Sequence, residues 1–206
     1  MNLLGRLTKL ALGLYLFGQG IWLGLQAHLG VGPWDVLHGG LADQLGTPFG
    51  LTSIAVSVLV LIVALMARVK PGVGTVANVI GIGAVIDLLL GTPLLDGLGH
   101  DAMPLRLLAT TGGIASVACG SALYLGAHLG PGPRDGLMVA IHERTGWTVG
   151  TARAVLECGV LVLGVLLGGP VGIGTVAFAL GIGPAVQLAF RVLRQTPVRR
   201  PVEVPL

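Results

Sequence analysis

Charged residues are scarce in this sequence, where they make up 10% of 206 residues. A soluble domain carries about 25% charged residues, so this chain lacks the polar side chains needed to cover a water-facing surface. Hydrophobic residues are 53% of the chain, and its mean hydropathy is +0.90. These proportions exclude an ordinary soluble domain and indicate a protein whose surroundings are lipid.

Cysteine is also rare, and Cys119 and Cys158 lie in apolar segments without the C-x-x-C spacing of metal or redox sites. No metalloprotease, phosphate-loop or nucleophile–base pattern is present in the sequence. The net charge is +3, but the basic residues flank apolar segments, so nucleic acid is not an expected partner. We therefore predict a protein of the lipid bilayer that is not an enzyme and has no metal ion or other cofactor.

What the sequence does contain is a series of long apolar segments, and a spanning helix needs roughly 20 such residues. Six segments meet or approach that length: Leu7–Ala27, Gly50–Ala67, Thr75–Leu95, Leu105–Ala127, Val149–Leu167 and Val171–Phe190. Glycine accounts for 35 residues, and small residues let membrane helices pack closely. The first segment is too long for the core of a signal peptide and is expected to be retained. The predicted fold class is an all-α membrane protein with six transmembrane helices.

The chain matches itself when it is shifted by 100 residues without a gap. Residues 6–88 and 106–188 share 27 identities in 83 positions, which indicates a duplication. The duplication predicts a first three-helix repeat at residues 1–100, a second at 101–192, and a tail at 193–206. Because each copy has an odd number of helices, two tandem copies must cross the membrane in opposite directions. The sequence therefore predicts an inverted-topology repeat, which recurs in secondary transporters.

The positive charges are unevenly distributed about the predicted helices. If six helices alternate in direction, eleven of the 12 Lys and Arg residues fall on one side and only Arg106 falls on the other. The positive-inside rule then places both termini in the cytoplasm. The expected location is the bacterial cytoplasmic membrane, with the Pro- and Arg-containing tail as a disordered cytoplasmic end near anionic lipid.

The motif Gly-x-Gly-Pro-x-Asp follows the first long helix of each copy. Its residues are Gly30, Gly32, Pro33 and Asp35, and then Gly130, Gly132, Pro133 and Asp135. Glycine and proline end the preceding helix, and the aspartate is suited to cap a short helix that Gly46 or Gly146 would end. Two interpretations stay open. The segment is a capped interfacial or re-entrant helix, or it is a broken helix whose irregular backbone lines a polar cavity.

A second motif, Gly-x-Gly-Thr, precedes the third helix of each copy. Its residues are Gly72, Gly74 and Thr75, and then Gly172, Gly174 and Thr175. The threonines can cap the helix, and a tight loop with a cap is enough to explain the motif. The alternative is that free backbone N–H groups there hold an anion.

Ionisable residues inside a membrane are costly and are candidates for function. Asp87 lies in the third helix without a charged neighbour, whereas Glu157 can pair with Arg153 one turn earlier. A histidine that ends the first helix of a copy can interact with the last carbonyl groups of that helix or handle a proton or ligand. The hypothetical substrate or ion pathway comprises Asp87, Asp35, Asp135, Glu157, Asn78, His28 and His128.

Residues of the first copy resemble a known family. The run Gly30-Val31-Gly32-Pro33-Trp34-Asp35-Val36-Leu37-His38, then Gly46 and Gly50, then Pro71-Gly72-Val73-Gly74-Thr75 with Asn78 and Asp87, is similar to bacterial YczE-type membrane proteins. These belong with a wider YczE/YyaS/YitT group, and the resemblance covers nearly the whole chain. It implies a multi-pass protein of the cytoplasmic membrane, it implies no settled activity, and it carries no catalytic residues over to this chain. Some members are associated with the production of peptide and polyketide secondary metabolites, which implies an accessory or export role.

Two functions are the leading hypotheses. The inverted repeat, the broken segments and the buried acids favour a transporter or channel for a small solute or ion, in which Asp87 or Asp35 faces a water-filled cavity between the copies. The resemblance also suggests a non-transporting accessory protein that supports another system, such as secondary-metabolite production. Whether the partner is a second copy or another membrane protein is left open. A membrane enzyme that uses His28 with Asp35, or His128 with Asp135, for acid–base chemistry is the least favoured alternative.

Overall fold

A computed structural model describes residues 2–195, and in this range the chain forms helices, turns and loops without a β-strand. The α-helices of this range are α1 Leu3–Ala27, α2 Pro33–Leu45, α3 Phe49–Met66, α4 Val73–Leu90, α5 Met103–Gly126, α6 Pro133–Thr145, α7 Val149–Leu166 and α8 Ile173–Val192. Two 3₁₀ turns, Pro93–Leu95 and Leu98–His100, connect α4 to α5. The tail predicted at residues 193–206 lies outside the described residues from position 196 onward.

Five of these helices, α1, α3, α4, α5 and α8, are long and apolar enough to cross a membrane. A sixth candidate span is α6 together with α7, two helices that are bent by 120° where they join. The multi-pass, all-helical prediction is therefore confirmed, with five or six candidate spans in the described residues. The predicted third helix is too long, because α4 ends at Leu90 and Pro93 cannot continue it.

The short helices α2 and α6 begin at Pro33 and Pro133, since the fixed φ and missing N–H of proline suit the first helical position. The predicted capping role of the aspartates is wrong, because a glycine precedes the proline at the N-cap of each helix. Asp35 and Asp135 instead lie in the first turn, where a carboxylate interacts favourably with the positive end of the helix. Both helices end, as predicted, at a glycine in the left-handed region, with φ of 62° and 72°.

Helices α1 and α5 pack against each other in antiparallel directions. Gly13 faces Gly120, and about two turns further along α1, Gly20 faces Gly113. A β-carbon at Gly20 would lie 2.5 Å from the carbonyl oxygen of Gly113, so only glycine permits this approach of the two backbones. The hydroxyl of Ser116 donates to the Leu16 carbonyl oxygen at 2.8 Å between these two contacts.

The two ends of this helix pair carry matching arginine contacts. Arg106, near the start of α5, donates from Nε to the Ala27 carbonyl oxygen and from Nη2 to that of His28, at 2.9 Å each. Arg6, near the start of α1, donates from Nε to the Ala127 carbonyl oxygen at 2.9 Å and from Nη2 to that of His128. Each arginine therefore places a positive charge at the C-terminal end of the other helix, where the helix dipole favours it.

The two repeated motifs contact each other across the copies. The Gly74 N–H donates to the Leu129 carbonyl oxygen and the Gly174 N–H to that of Leu29, both at 2.7 Å. Thr75 accepts from the N–H of its own motif's first glycine at 2.9 Å and donates to the Pro131 carbonyl oxygen at 2.7 Å. The second motif of the first copy thus holds the loop after α5 against the start of α4. The second motif of the second copy holds the loop after α1 against the start of α8. This geometry favours the interpretation as a tight, capped loop over that as an anion site.

The copies differ in how their last two helices pack. We call the line along which these two helices face each other a seam. In the first copy the α3–α4 seam is closed, because a β-carbon at Gly83 would lie 2.5 Å from the Gly50 carbonyl oxygen. The Asp87 carboxylate joins the same seam by accepting hydrogen bonds from the N–H groups of Gly50 and Leu51, at 2.6 and 2.9 Å. In the α7–α8 seam of the second copy, a β-carbon at Gly183 would meet nothing within 4 Å, so this seam is open.

Candidate functional site

A cavity of about 140 Å³ lies where the first turns of α2 and α6 meet, and every helix from α1 to α8 contributes to its wall. Its size is close to the ~150 Å³ cavity that holds a benzene molecule in an engineered protein. Polar and charged side chains make up much of the wall: Asp35, Ser53, Ser57, Asn78, Ser121, Tyr124, Arg134, Asp135, Arg153 and Glu157. Both copies contribute charged groups to this cavity, so charged groups of both copies can contact one ligand there.

Arg134 of α6 and its counterpart in the first copy, Trp34 of α2, meet in the cavity wall. The guanidinium carbon lies 4.6 Å from the centroid of the Trp34 ring, an arrangement that stabilises the cation over the π-face. One guanidinium nitrogen, Nη2, donates a long hydrogen bond of 3.4 Å to Nε2 of His38, which is fully buried. Because arginine can only donate, Nε2 of His38 accepts, and the ring proton lies on Nδ1.

Asp35 lies one turn before His38 on α2 and is 4% exposed. Its Oδ1 is 3.5 Å from Nδ1 of His38, and neither atom has a hydrogen-bond partner among the described residues. A buried charged group without such partners carries a desolvation cost of about 1–3 kcal/mol or more. The first turn of α2 therefore brings an unsatisfied carboxylate to the cavity.

The other charged groups of the cavity wall have protein partners. Asp135 accepts a hydrogen bond of 2.7 Å from the Tyr124 hydroxyl. Arg153 donates to Glu157 at 2.8 Å along α7, so the predicted local ion pair is confirmed. In the first copy the equivalents of that pair are Ser53 and Ser57, and they are buried.

The structure brings four of the predicted pathway residues together and leaves three elsewhere. Asp35, Asp135, Glu157 and Asn78 border the cavity, as do Gly32, Pro33, Gly132 and Pro133 of the first motif. This arrangement agrees with the interpretation of that motif as a broken helix beside a polar cavity.

Asp87, His28 and His128 do not belong to the cavity wall. Asp87 binds the start of α3. His28 ends α1 in an exposed, left-handed conformation with φ 51°, and its ring lies 6.5 Å, edge to face, from that of His100. His128 is the equivalent exposed residue after α5, with φ 52°, and its carbonyl oxygen accepts from Arg6.

Sequence reasoning did not assign Arg134, Tyr124 and His38 to the site. Arg134 follows a long apolar segment and Tyr124 lies within one, and His38 belongs to the run that resembles the family without an assigned role. The copies carry chemically different side chains at several positions of the cavity wall, but they also differ at most of their other positions, so this divergence does not mark the site. The divergent pairs are Trp34 and Arg134, Gly24 and Tyr124, Ser53 and Arg153, Ser57 and Glu157, and Asn78 and Phe178.

The apolar helices and the polar cavity that they enclose define a multi-pass membrane protein. Residues 4–191 match DUF6198, a family of unknown function, and the chain belongs to that family.

The relatives support the same assignment. The chain is 39% identical over 191 residues to an uncharacterized protein of Haemophilus influenzae (strain ATCC 51907 / DSM 11121 / KW20 / Rd), covering 93% of this chain and 86% of the relative. It is 33% identical over 174 residues to the uncharacterized membrane protein YczE of Bacillus subtilis (strain 168), covering 83% and 79%. The uncharacterized protein YyaS of the same organism is 32% identical over 168 residues, covering 80% and 82%. The resemblance to YczE-type proteins is thus confirmed, and no solved structure matches the chain.

Proposed function

We propose that this protein is a transporter or channel for a small solute or ion in the bacterial cytoplasmic membrane. The observation that carries the proposal is the polar cavity between the two copies at the first turns of α2 and α6. Irregular backbone and charged side chains are costly at membrane depth unless they line such a cavity. A purely structural role gives no reason for Asp35, Arg134 and Glu157 to border one space.

The proposal includes an inverted relation between the copies. The equivalent helices α1 and α5 pack antiparallel, and Arg6 and Arg106 make matching contacts at opposite ends of the pair. Two copies that cross a membrane in opposite directions are expected to place equivalent helices in this way. In proteins built from such repeats, the substrate site lies near the bilayer midplane at the interface of the repeats, and we propose that the cavity is this site.

The difference between the two seams supports movement between two states. The α3–α4 seam is closed by the Gly50–Gly83 approach and by Asp87, whereas the α7–α8 seam is open at Gly183. Access in inverted-repeat transporters alternates as one repeat moves against the other. We therefore expect the open and closed seams to exchange during a transport cycle.

We infer that both termini face the cytoplasm. Nζ of Lys9 donates to Oε1 of Gln195 at 2.6 Å, so the start of α1 and the end of α8 share one side of the molecule. The positive-inside rule assigns the side that is rich in Lys and Arg to the cytoplasm. Arg134 and Arg153 border the cavity, so we leave them out of this comparison. The remaining Lys and Arg residues still lie mainly on the side that carries both termini.

Uptake into proteoliposomes tests the proposed function. Vesicles containing the purified full chain would be given labelled amino acids, organic acids, amines, sugars and alkali ions. We expect saturable uptake of at least one class, and a loss of about tenfold or more in Arg134→Gln, because a charged hydrogen-bond donor leaves the cavity. The matched control is Arg144→Gln, an exposed arginine of the same helix that lies outside the cavity.

The opposite result has a clear meaning. If no compound enters faster than into protein-free vesicles, while the protein is folded and both variants are as stable as the wild type, the transport proposal fails. A membrane protein that then co-purifies in stoichiometric amount would support the accessory role instead.

A further inference from the structure

Two oppositely charged groups of the central cavity lack the partners that the other charged groups have. Glu157 is paired with Arg153 at 2.8 Å, and Asp135 accepts from Tyr124 at 2.7 Å. Asp35 and Arg134 are therefore the charged groups of the cavity wall that remain available to a ligand.

The Oδ1 atom of Asp35 is an acceptor without a donor. The residue is 4% exposed, and Nδ1 of His38 lies 3.5 Å from Oδ1. Within residues 2–195 no group donates a hydrogen bond to Oδ1. Buried polar groups in native proteins are nearly always hydrogen-bonded, and an exception calls for a water, an ion or a ligand.

The Arg134 guanidinium is a set of donors without a matching acceptor. Nη2 makes the long 3.4 Å contact with His38, and the ring of Trp34 covers one face of the guanidinium. In the described part of the chain no carboxylate forms an ion pair with this arginine, although Asp35 and Asp135 border the same cavity. The planar fork of a guanidinium suits a carboxylate that accepts two parallel hydrogen bonds.

We propose that this cavity binds a small zwitterion, with its ammonium group at Asp35 and its carboxylate at Arg134. The proposal rests on the proposed function and names its substrate class: a small amino acid or a compound with the same two charged groups. A simple anion would leave Asp35 unsatisfied and repelled, and a simple cation would do the same to Arg134. The cavity of about 140 Å³ fits this class, since a space of that size holds a ligand of about six non-hydrogen atoms.

The backbone around the two groups agrees with this arrangement. The N-caps of α2 and α6, Gly32 and Gly132, provide no side-chain hydrogen bond to their helix starts. Both uncapped starts border the cavity, and the start of a helix favours a negative ligand group. The carboxylate of the ligand would therefore bind Arg134 at the start of α6, while the Asp35 side chain supplies the negative charge that an ammonium group needs.

Thermal unfolding of the detergent-purified full chain tests the proposal with three matched classes of small molecule. Glycine and L-alanine carry both charges, acetate and propionate carry only the carboxylate, and ethylamine carries only the ammonium group. A ligand that binds the folded state raises its stability by mass action. We expect a saturable rise in melting temperature with the zwitterions alone, and an affinity at least about tenfold weaker in Asp35→Asn and in Arg134→Gln.

Two exposed residues on the same short helices provide the matched controls. Asp43→Asn on α2 and Arg144→Gln on α6 remove the same charges outside the cavity, and they should bind as the wild type does. A shift with acetate or ethylamine equal to that with glycine would overturn the proposal in favour of a simple anion or cation site. The absence of any shift, with folded variants, would overturn it as well.

The two proposals fail in different ways. Zwitterion binding in detergent without uptake into vesicles would contradict transport and leave the binding site in place. Uptake of another compound class, with no effect of glycine or L-alanine on stability or on that uptake, would contradict the zwitterion site and leave transport in place.

Discussion

At the scale of single residues, Asp87 and Asp35 show how two similar acids take different roles in the same apolar surroundings. The Asp87 carboxylate accepts two backbone N–H groups at the start of α3. Asp35 has no such partner and borders the cavity. Sequence alone could not separate them, because the partners of Asp87 lie on another helix and an apolar segment gives no sign of which helix faces it.

We predict that Asp87→Asn destabilises the protein by roughly 1–3 kcal/mol, since a neutral amide accepts backbone hydrogen bonds less strongly than a carboxylate. Chemical unfolding in detergent would measure the change in the free energy of unfolding. Its counterpart in the open seam, Gln187, is exposed and has no such bonds, so Gln187→Asn should leave stability unchanged. If Asp87→Asn were as stable as the wild type but failed to bind ligand, Asp87 would belong to the pathway after all.

The site was partly predictable at this scale. The Gly-x-Gly-Pro-x-Asp motif led to Asp35 and Asp135, because a proline after a helix break predicts irregular backbone and the aspartate follows it. Arg134 was missed, because a basic residue after a long helix normally faces water. The chain before Arg134 instead turns into the molecule, where Gly132 and Pro133 are buried, and this brings the side chain inside.

At the scale of elements, the apolar segments predicted the helices well, because length and hydropathy set the requirement for crossing a bilayer. The segment of α7 is less uniformly apolar, because Arg153 and Glu157 interrupt it, and α7 is a candidate span together with α6, from which it is bent by 120°. The orientation of the short helices could not be predicted, because it depends on contacts between motifs that lie in different copies.

The contact between α1 and α5 gives a second prediction. Gly20→Leu should destabilise the protein by at least about 1–3 kcal/mol, because its β-carbon would meet the backbone of α5 at 2.5 Å. Gly112→Leu is the control on the partner helix, since a β-carbon there would meet nothing within 4 Å. Thermal unfolding and the monodisperse yield in detergent would report the difference. Equal stability of the two variants would show that α1 and α5 are not packed as closely as described.

At the scale of the whole molecule, the two copies make matching contacts through Arg6 and Arg106, one at each end of the α1–α5 pair. The difference between the seams could not be predicted, because the glycines at 50 and 83 recur unchanged at 150 and 183. The same small residues that close the α3–α4 seam are thus present in the open α7–α8 seam. This retained capacity for close packing is the basis of the last prediction.

Distances between spin labels would follow both seams in a variant without Cys119 and Cys158. Labels at Ala55 and Ile80 report the α3–α4 seam, and labels at Val155 and Leu180 report the α7–α8 seam. All four positions are exposed, and the second pair is equivalent to the first. If the seams exchange, each pair should show a short and a long distance, and the short distance should dominate in the first copy.

Gly183→Leu then decides whether the α7–α8 seam closes. The substitution has room in the open state, but its side chain would prevent the approach that Gly83 makes to Gly50 in the closed seam. We expect it to remove the short distance between Val155 and Leu180 while the protein stays folded. Gly159→Leu, at another open position on α7, should leave both distances in place. One fixed distance in each seam, unchanged by either substitution, would contradict alternating access, and the cavity would then have to act as a static channel or binding site.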